Sequence, residues 1–554
     1  MIQHKIGAKL EPPSLVQRFL ITRFIRDNKI DQLVDKVIPS AIIYTILFYL
    51  PTAFYVAHER LAVSLVLSGL MAISELVAVF LLTVIIFCVA AKLGSAILYL
   101  IVILFYSIGG VNIYFLLNFG KNLGIWSIQS MLYYESNFVE DMMGMQLVLI
   151  VAVSVIIGLI SISSGKIKFK RSINLITASF CYTIVSMTWL GSLLFHSIVN
   201  NYNPYPEIKG LHLYLFHKND HHDSEVKNDI SEMYDFIYKP KTSKPITVVM
   251  VIGESLRGDV LELNGYKHFA NTPLLQKIPN LVSFKYATSS GSETQSTIPN
   301  MLTRSYNSGN SKSVSAETTF ISVFRRLGFK TAWIGAQSSF SANDIYVSSI
   351  PLEAEYIVTR KEIMGYNGRH NIYDGDMLPI IKKYIEQNKN YNKLIIVHMI
   401  GSHWRLDHRY PSGFGAFYPI CRNASPTSCS KSELENSYHN TVLYTDTFLY
   451  SLITMLEKDL AFLLFSSDHG SQITENHFED SEDRIENGTD PDMISIAMMI
   501  WSSAKFLQEH ENSYREQMAK RDSENVSHNN IFHSILGCIG IESTAINGDL
   551  NLCR

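Results

Sequence analysis

One segment indicates the fold of the second half of the chain: Ile246-Thr-Val-Val-Met-Val-Ile-Gly253, followed at once by Glu254. A short run of β-branched and other apolar residues, without polar alternation, predicts a strand that is covered on both faces. Similar runs recur between helical stretches at 331–334, 393–399, 461–465 and 494–501. The sequence therefore predicts an α/β domain with a mostly parallel central sheet.

Polar side chains follow three of these predicted strands. Glu254 comes directly after the first run, His403 lies shortly after the run at 393–399, and Asp468 and His469 follow the run at 461–465. Ligands of parallel sheets bind beyond the carboxyl ends of the strands, so these side chains are expected to converge. Each alone could be an ordinary turn residue. Together, carboxylates and imidazoles predict a metal site that suits Zn²⁺.

A hydroxyl-rich segment, 290–299, reads as a loop that leads into a helix. The local sequence by itself favours simple helix capping. The alternative is a nucleophile, because free N–H groups at a helix N-terminus attract a phosphate. A hydroxyl is too weak an acid to attack at neutral pH, so this alternative requires a bound metal.

The first third of the chain has the composition of a membrane domain. The protein is 47% hydrophobic and 18% charged, and five stretches are long and apolar enough to cross a bilayer: 38–57, 65–91, 95–117, 145–164 and 173–197. Lys and Arg are concentrated in residues 1–37 and 165–172, whereas the loop at 118–144 is acidic. This bias favours membrane spans over buried soluble helices and predicts a cytoplasmic N-terminus.

These patterns divide the chain into four predicted parts. They are a cytoplasmic N-terminal segment at 1–37, a five-helix transmembrane domain at 38–197, a connector at the membrane surface at 198–244, and a catalytic domain on the far side at 245–554. Glu75, inside the second span, is either a paired structural group or part of a path for lipid headgroups. The formal charge of −3 and the lack of a basic block argue against nucleic acid as a partner.

Several strings resemble the phosphoethanolamine transferases of the alkaline-phosphatase/sulfatase superfamily. They are 251–259 (VIGESLRGD) with 263–266 (LNGY) and 272–273 (TP), 401–403 (GSH) with 409–411 (RYP), and 467–470 (SDHG). The C-terminal strings 535–540 and 551–553 resemble the branch that modifies Kdo-lipid A. By this resemblance Glu254, Thr294, Asp468 and His469 are zinc ligands and Thr294 is the nucleophile, with Ser292, Ser296 and Thr297 as nearby rivals. His403 resembles the family histidine that contacts the phosphoryl group or a second metal.

The resemblance also implies a reaction. Phosphatidylethanolamine gives its phosphoethanolamine group to Thr294 and releases diacylglycerol, and a lipopolysaccharide component (lipid A phosphate, Kdo or a core sugar) then accepts the group. One Zn²⁺ is expected, with a second possible, in a monomeric enzyme of the bacterial inner membrane. The rivals are a phosphoglycerol transferase on the same scaffold and a non-catalytic membrane sensor.

The sequence departs from the family pattern downstream of Asp468, where the usual His-Gly is absent. His477 and Asp480 are the candidates to replace it in substrate binding. Glu135 and Asn137 are candidates to seat the lipid substrates.

The cysteines add a further implication of the resemblance, because disulfides fit an oxidising periplasm. Cys421 pairs with Cys429, and Cys538 with Cys553. Relatives also bridge the nucleophile loop, where this sequence has Ser290 and Asn300, so the loop is expected to be held by packing alone.

Overall fold

The computed structural model describes residues 29–59, 65–119, 145–164, 202, 229–304, 317–337, 349–367, 372–423, 426–471, 491–510 and 522–554. The chain forms two compact units, Met1–Ser130 with Met143–Leu213, and Met131–Met142 with Tyr214–Arg554. The domain boundaries inferred from the sequence stay predictions.

The first unit is helical. Its described helices are α1 (Lys29–Tyr44), which runs through the π-helical turn Thr45–Tyr49 into α2 (Leu50–Glu59), then α3 (Leu65–Leu93), α4 (Ser95–Phe119) and α5 (Met145–Ser164). Four segments within them are long and apolar enough to cross a membrane: Lys36–Phe54, Met71–Leu93, Ser95–Asn118 and Gln146–Ser164. They coincide with the first four predicted spans, and the fifth, 173–197, lies outside the described residues.

Polar groups inside this unit have partners. Tyr106 donates a hydrogen bond to the Ser40 carbonyl over 2.8 Å, and Ser161 Oγ donates to Ser40 Oγ over 2.9 Å. Glu75 is fully buried and accepts a hydrogen bond from Tyr202 over 2.9 Å. Such pairing is what a polar group needs in a setting where water cannot satisfy it. Glu75 is therefore a paired group in the structure, and Tyr202 is its partner.

The second unit is built on a seven-stranded sheet with the strand order β3-β9-β8-β2-β7-β5-β6. Chain order gives β1 (Ile237–Tyr238), β2 (Ile246–Gly253), β3 (Leu281–Phe284), β4 (Tyr286–Thr288), β5 (Lys330–Gly335), β6 (Tyr356–Val358), β7 (Lys393–His398), β8 (Leu460–Ser467), β9 (Met498–Ser502), β10 (Asn525–Ser527) and β11 (Ile541–Glu542). β2 lies between β7 and β8 and is parallel to both, whereas β9 is antiparallel to β8 and β3. The mostly parallel sheet is confirmed.

One predicted strand is wrong in its bounds. The run at 494–501 begins with the end of a short helix, Pro491–Ile494, and the strand itself starts at Met498. Gly470 and Ser471 donate backbone hydrogen bonds to Met493 and Asp492. These bonds tie the short helix to the turn that follows β8.

Helices cover both faces of the sheet. They are α6 (Ile230–Met233), α7 (Thr294–Leu302), α8 (Phe320–Arg326), α9 (Arg360–Asn367), α10 (Leu378–Gln387), α11 (Lys431–Leu456), α12 (Pro491–Ile494), α13 (Ala504–His510) and α14 (Asn529–Gly537). Val248 and Met250 of β2 pack in the core that includes α7, α8 and α14, and Val249 and Val251 pack in the core that includes α10 and α11. Every residue of β2 is buried, as the unbroken apolar run predicts.

Candidate metal centre and nucleophile

The register of β2 and β8 places two carboxylates side by side. Gly253 is the partner of Ser467, so Glu254 and Asp468 leave the sheet at the same level, and the Asp468 N–H donates to the Gly253 carbonyl over 3.1 Å. His469 Nε2 lies 3.5 Å from Glu254 Oε1 and 3.4 Å from Asp468 Oδ2. One ligand atom from each of these three residues lies within 4.8 Å of the other two.

Thr294 joins this group from a helix and not from the end of a strand. It is the first residue of α7, and Glu293 before it has extended backbone angles. Thr294 Oγ1 donates a hydrogen bond to Asp468 Oδ2 over 2.6 Å and lies 3.3 Å from both Glu254 Oε2 and His469 Nε2. The structure thus brings together the four residues that the sequence singled out, and their roles stay predictions.

Two further residues orient the carboxylates, and neither role was predicted from the sequence. Ser255 adopts a left-handed backbone conformation with φ 55°. From there its Oγ donates to Glu254 Oε1 over 2.7 Å and its N–H donates to Asp468 Oδ1 over 3.1 Å. Gln337 Nε2 donates to Glu254 Oε2 over 2.8 Å. A left-handed conformation at a residue other than glycine is strained, and it is maintained here by these contacts.

The electrostatics of the site favour a bound cation. Burial and the neighbouring Glu254 carboxylate raise the pKa of Asp468. Burial opposes ionisation of Glu254 as well, but the charges of His469 and His403 lower the pKa of Glu254. Burial likewise opposes a charge on His469, and the two carboxylates raise its pKa. Two buried carboxylates that compete for one proton are the arrangement that a metal ion would relieve.

The donor set fits zinc. His469 Nδ1 lies 2.7 Å from the Gly470 carbonyl, which assigns the ring proton to Nδ1 and leaves Nε2 free to face the carboxylates. Two carboxylates, one imidazole nitrogen and one hydroxyl oxygen are ligands that Zn²⁺ accepts. Glu254, Asp468, His469 and Thr294 are the residues that would hold it.

His403 stands outside the three-residue cluster but belongs to its surroundings. The loop that carries His403 is fixed by the buried Asp374, which accepts hydrogen bonds from the N–H groups of Ile400 and Gly401 over 2.8 and 3.1 Å. Arg409 Nε donates to the His403 carbonyl over 3.0 Å. Gly401 has φ 48°, and a Cβ there would lie 2.8 Å from the Glu254 carbonyl oxygen. The loop is therefore held close to the cluster, and contact with a phosphoryl group remains a prediction for His403.

The nucleophile loop is held by more than packing, so that prediction is wrong. Asn300 Nδ2 donates to Ser290 Oγ over 3.3 Å, and the Ser290 N–H donates to His528 Nδ1 over 3.2 Å. At the positions where relatives have a disulfide, hydrogen bonds therefore join Asn300 to Ser290 and Ser290 to His528. No local sequence signal marks His528 for this role, because its partner lies 238 positions earlier in the chain.

Both predicted disulfides are present. Cys421 and Cys429 have their Cα atoms 5.6 Å apart, and Cys538 and Cys553 have theirs 5.4 Å apart. Four predicted substrate residues lie outside the described part of the chain: Glu135, Asn137, His477 and Asp480. Their roles remain predictions.

The architecture is that of a sulfatase-like α/β domain with a candidate metal centre at the carboxyl edge of its sheet. The family model described as Sulfatase matches residues 246–541, which is more than half of the chain, so the chain belongs to the sulfatase family.

Several phosphoethanolamine transferases are similar to this chain. The chain is 27% identical over 369 residues to the Kdo(2)-lipid A phosphoethanolamine 7''-transferase of Escherichia coli; the match covers 64% of this chain and 63% of that protein. The integral membrane lipooligosaccharide phosphoethanolamine transferase A of Neisseria meningitidis has the same fold, with a TM-score of 0.70 and 19% identity over 94% of this chain and 98% of that one. The C-terminal periplasmic domain of EptC from Escherichia coli, solved in complex with Zn, matches with a TM-score of 0.50 and 23% identity over 58% of this chain and 89% of that one.

Proposed function

We propose that this protein transfers phosphoethanolamine from phosphatidylethanolamine to a lipopolysaccharide component. The observation that carries the proposal is the position of Thr294 Oγ1, which lies 2.6 Å from Asp468 Oδ2 and 3.3 Å from Glu254 Oε2 and His469 Nε2. A hydroxyl at the first residue of a helix, surrounded by metal-type ligands, suits attack on a phosphate. The name of the Escherichia coli relative supports phosphoethanolamine as the group and Kdo-lipid A as an acceptor class.

The proposed transfer has two steps. Thr294 Oγ1 attacks the phosphorus of phosphatidylethanolamine while its proton passes towards Asp468 Oδ2, and the bond from phosphorus to the diacylglycerol oxygen breaks. Diacylglycerol leaves with a proton, and phosphoethanolamine stays on Thr294. A hydroxyl or a protonated phosphate of the acceptor then attacks the same phosphorus through its oxygen, and the bond from phosphorus to Thr294 Oγ1 breaks. The proton of the acceptor passes by way of Asp468 to Thr294 Oγ1, which restores the threonine hydroxyl.

Zinc is the proposed cofactor because the four donors fit it and because a related periplasmic domain was solved with Zn. When bound, the ion supplies Lewis-acid stabilisation of the phosphoryl oxygens and of the threonine oxygen. Ser255 and Gln337 keep the Glu254 carboxylate in one orientation, and His403 is proposed to contact the phosphoryl group.

We further propose that the domain works in the periplasm, anchored in the inner membrane with its N-terminus in the cytoplasm. Four membrane-type helices and two disulfides support this location. The anchor brings the domain to donor and acceptor lipids that are themselves in the membrane.

The test uses the full-length protein with zinc in vesicles of phosphatidylethanolamine. We expect diacylglycerol release and, by mass spectrometry, a phosphoethanolamine adduct on the peptide that contains Thr294. The matched control is Ser296→Ala, since Ser296 lies two residues away, is exposed, and donates its hydroxyl to the Glu293 carbonyl.

Transfer that survives in Thr294→Ala, or an adduct on Ser296 in its place, would refute the nucleophile. Adduct formation from phosphatidylglycerol vesicles alone would replace the donor with a phosphoglycerol lipid. A zinc-loaded protein that modifies neither lipid would contradict the enzyme and favour a sensor.

A further inference from the structure

A buried histidine near the end of the chain connects two parts of the candidate site. His528 is 1% exposed, and both ring nitrogens are hydrogen-bonded. Nδ1 accepts from the Ser290 N–H over 3.2 Å, and Nε2 lies 2.9 Å from the Ser467 carbonyl oxygen, to which it donates. The first contact holds the loop before Thr294, and the second holds the last residue of β8, directly before Asp468.

The backbone brings the ring to this position. β10 pairs in parallel with β4, with Ser527 opposite Thr288, and the His528 N–H then donates to the Thr288 carbonyl over 3.3 Å. The imidazole continues this pairing beyond the strand, into the irregular loop that leads to α7. Its two contacts lie four residues before Thr294 and one residue before Asp468, so the ring contacts both segments that carry the 2.6 Å contact between those residues.

We propose that His528 is a positioning residue that sets the distance between Thr294 Oγ1 and the ligands of β8 by holding Ser290 and Ser467 together. The proposal rests on the proposed function of Thr294 as the nucleophile. His528 takes no part in the chemistry itself, because it bonds to Ser290 and to a backbone carbonyl and not to the reacting group. A loop released from this contact would leave Thr294 free to move away from Asp468, and a displacement of about 1 Å costs on the order of 100-fold in rate.

The variants separate hydrogen bonding from filling of space. His528→Phe keeps a buried ring and loses both contacts, whereas His528→Gln can offer one acceptor and one donor. We expect kcat for diacylglycerol release to fall about 10- to 100-fold in His528→Phe, with an unchanged KM for phosphatidylethanolamine, and to recover in His528→Gln. Hydrogen exchange of the peptide around 286–296 should be faster in the Phe variant and return towards wild type in the Gln variant.

A cross-link provides an independent rescue. Asn300 Nδ2 lies 3.3 Å from Ser290 Oγ, so the side chains of these positions already meet. The pair Ser290→Cys and Asn300→Cys, oxidised in the His528→Phe background, should slow exchange in the loop and restore part of kcat. The control is His533→Phe in α14, which removes another buried histidine acceptor, the partner of the Asn547 N–H. It should lower the thermal midpoint without changing kcat.

The outcomes are distinct from those that test Thr294. Wild-type kcat and loop exchange in His528→Phe would overturn the proposal, as would a loss of kcat that neither Gln nor the cross-link repairs. If His528→Phe does not fold, His528→Asn serves instead, because its shorter amide cannot reach Ser290 and Ser467 together. If wild type shows no transfer, the proposed function fails, and the exchange experiment still decides whether His528 holds the loop.

Discussion

The backbone N–H of Ser255 donates a hydrogen bond to Asp468 Oδ1 over 3.1 Å, and this contact joins the ends of two neighbouring parallel strands. The same residue orients Glu254 through its hydroxyl, with an Oγ to Oε1 distance of 2.7 Å. One strained residue therefore fixes both carboxylates of the candidate metal centre.

We expect Ser255→Ala to weaken zinc binding about 10- to 100-fold, because partners that orient metal ligands have effects of that size. Ser255→Gly also loses the hydroxyl, but glycine adopts the left-handed conformation without strain. It should therefore bind zinc as weakly as the alanine variant and melt at a higher temperature than that variant. Chelator competition and thermal melting measure the two effects. Wild-type zinc affinity in Ser255→Ala would contradict the role given to this hydroxyl.

Asp468→Asn should have opposite effects on metal binding and on the metal-free protein. Loss of a ligand carboxylate should weaken zinc binding by at least about 100-fold. Without metal and above pH 7, the variant should melt at a higher temperature than wild type. Burial and Glu254 raise the pKa of Asp468 to about 7, so only above that pH does Glu254 face a second ionised carboxylate in wild type. The matched control is Glu386→Gln, an exposed acid of α10, which should leave both measurements near wild type. A metal-free variant that melts below wild type would refute the repulsion.

His439 predicts a pH dependence of stability. Burial, reinforced by the positive charge of Arg257, lowers the pKa of His439 to about 3, and the ring stacks on Phe269 with its Nδ1 2.9 Å from Asn271 Nδ2. The unfolded chain takes up a proton near pH 6.5 and the folded chain does not. The contribution of the neutral His439 ring to the free energy of unfolding is therefore intact above pH 6.5 and declines as the pH falls towards 3.

The comparison is with His439→Gln, which lacks this titration. The stability advantage of wild type should shrink by about 1.4 kcal/mol per pH unit below 6.5. Thermal midpoints of both proteins between pH 7.5 and 5.5 measure the change. Parallel curves for the two proteins would show that His439 does not titrate in this way.

The disulfide of Cys538 and Cys553 closes a loop with a sequence separation of 15. Replacing both cysteines with serine should destabilise the domain by about 3 kcal/mol, because the unfolded chain gains the freedom that the bridge removes. The thermal midpoint should fall, and added reductant should lower the wild-type midpoint by more than that of the variant, in which Cys421–Cys429 is still present. Equal responses to reductant would contradict a structural disulfide.

The sequence predicted the parts of the fold that depend on local pattern. The buried strands β2, β7 and β8 were recognisable because their runs are apolar throughout. The short strands β3 and β6 were not, since Leu281–Phe284 alternates in burial and Tyr356–Val358 is a three-residue edge strand. Neither has a run long enough to stand out.

The same limit applies to the candidate site. Glu254, Asp468 and His469 follow recognisable strands, and Thr294 begins a helix, so their convergence could be expected. Ser255 and His528 depend instead on partners 213 and 238 positions away. Their roles follow from the register between distant segments, which no local pattern records.

The pairing of β10 with β4 also affects when the site can form during synthesis. A nascent chain that has been made as far as His469 already contains Glu254, Thr294 and Asp468, but it lacks the segment from Asn525 to His528 that pairs beside the nucleophile loop. The arrangement described for Thr294 can therefore exist only after the ribosome has passed residue 528. A chain made only as far as His469 would therefore carry the ligands without the contact that holds the nucleophile loop.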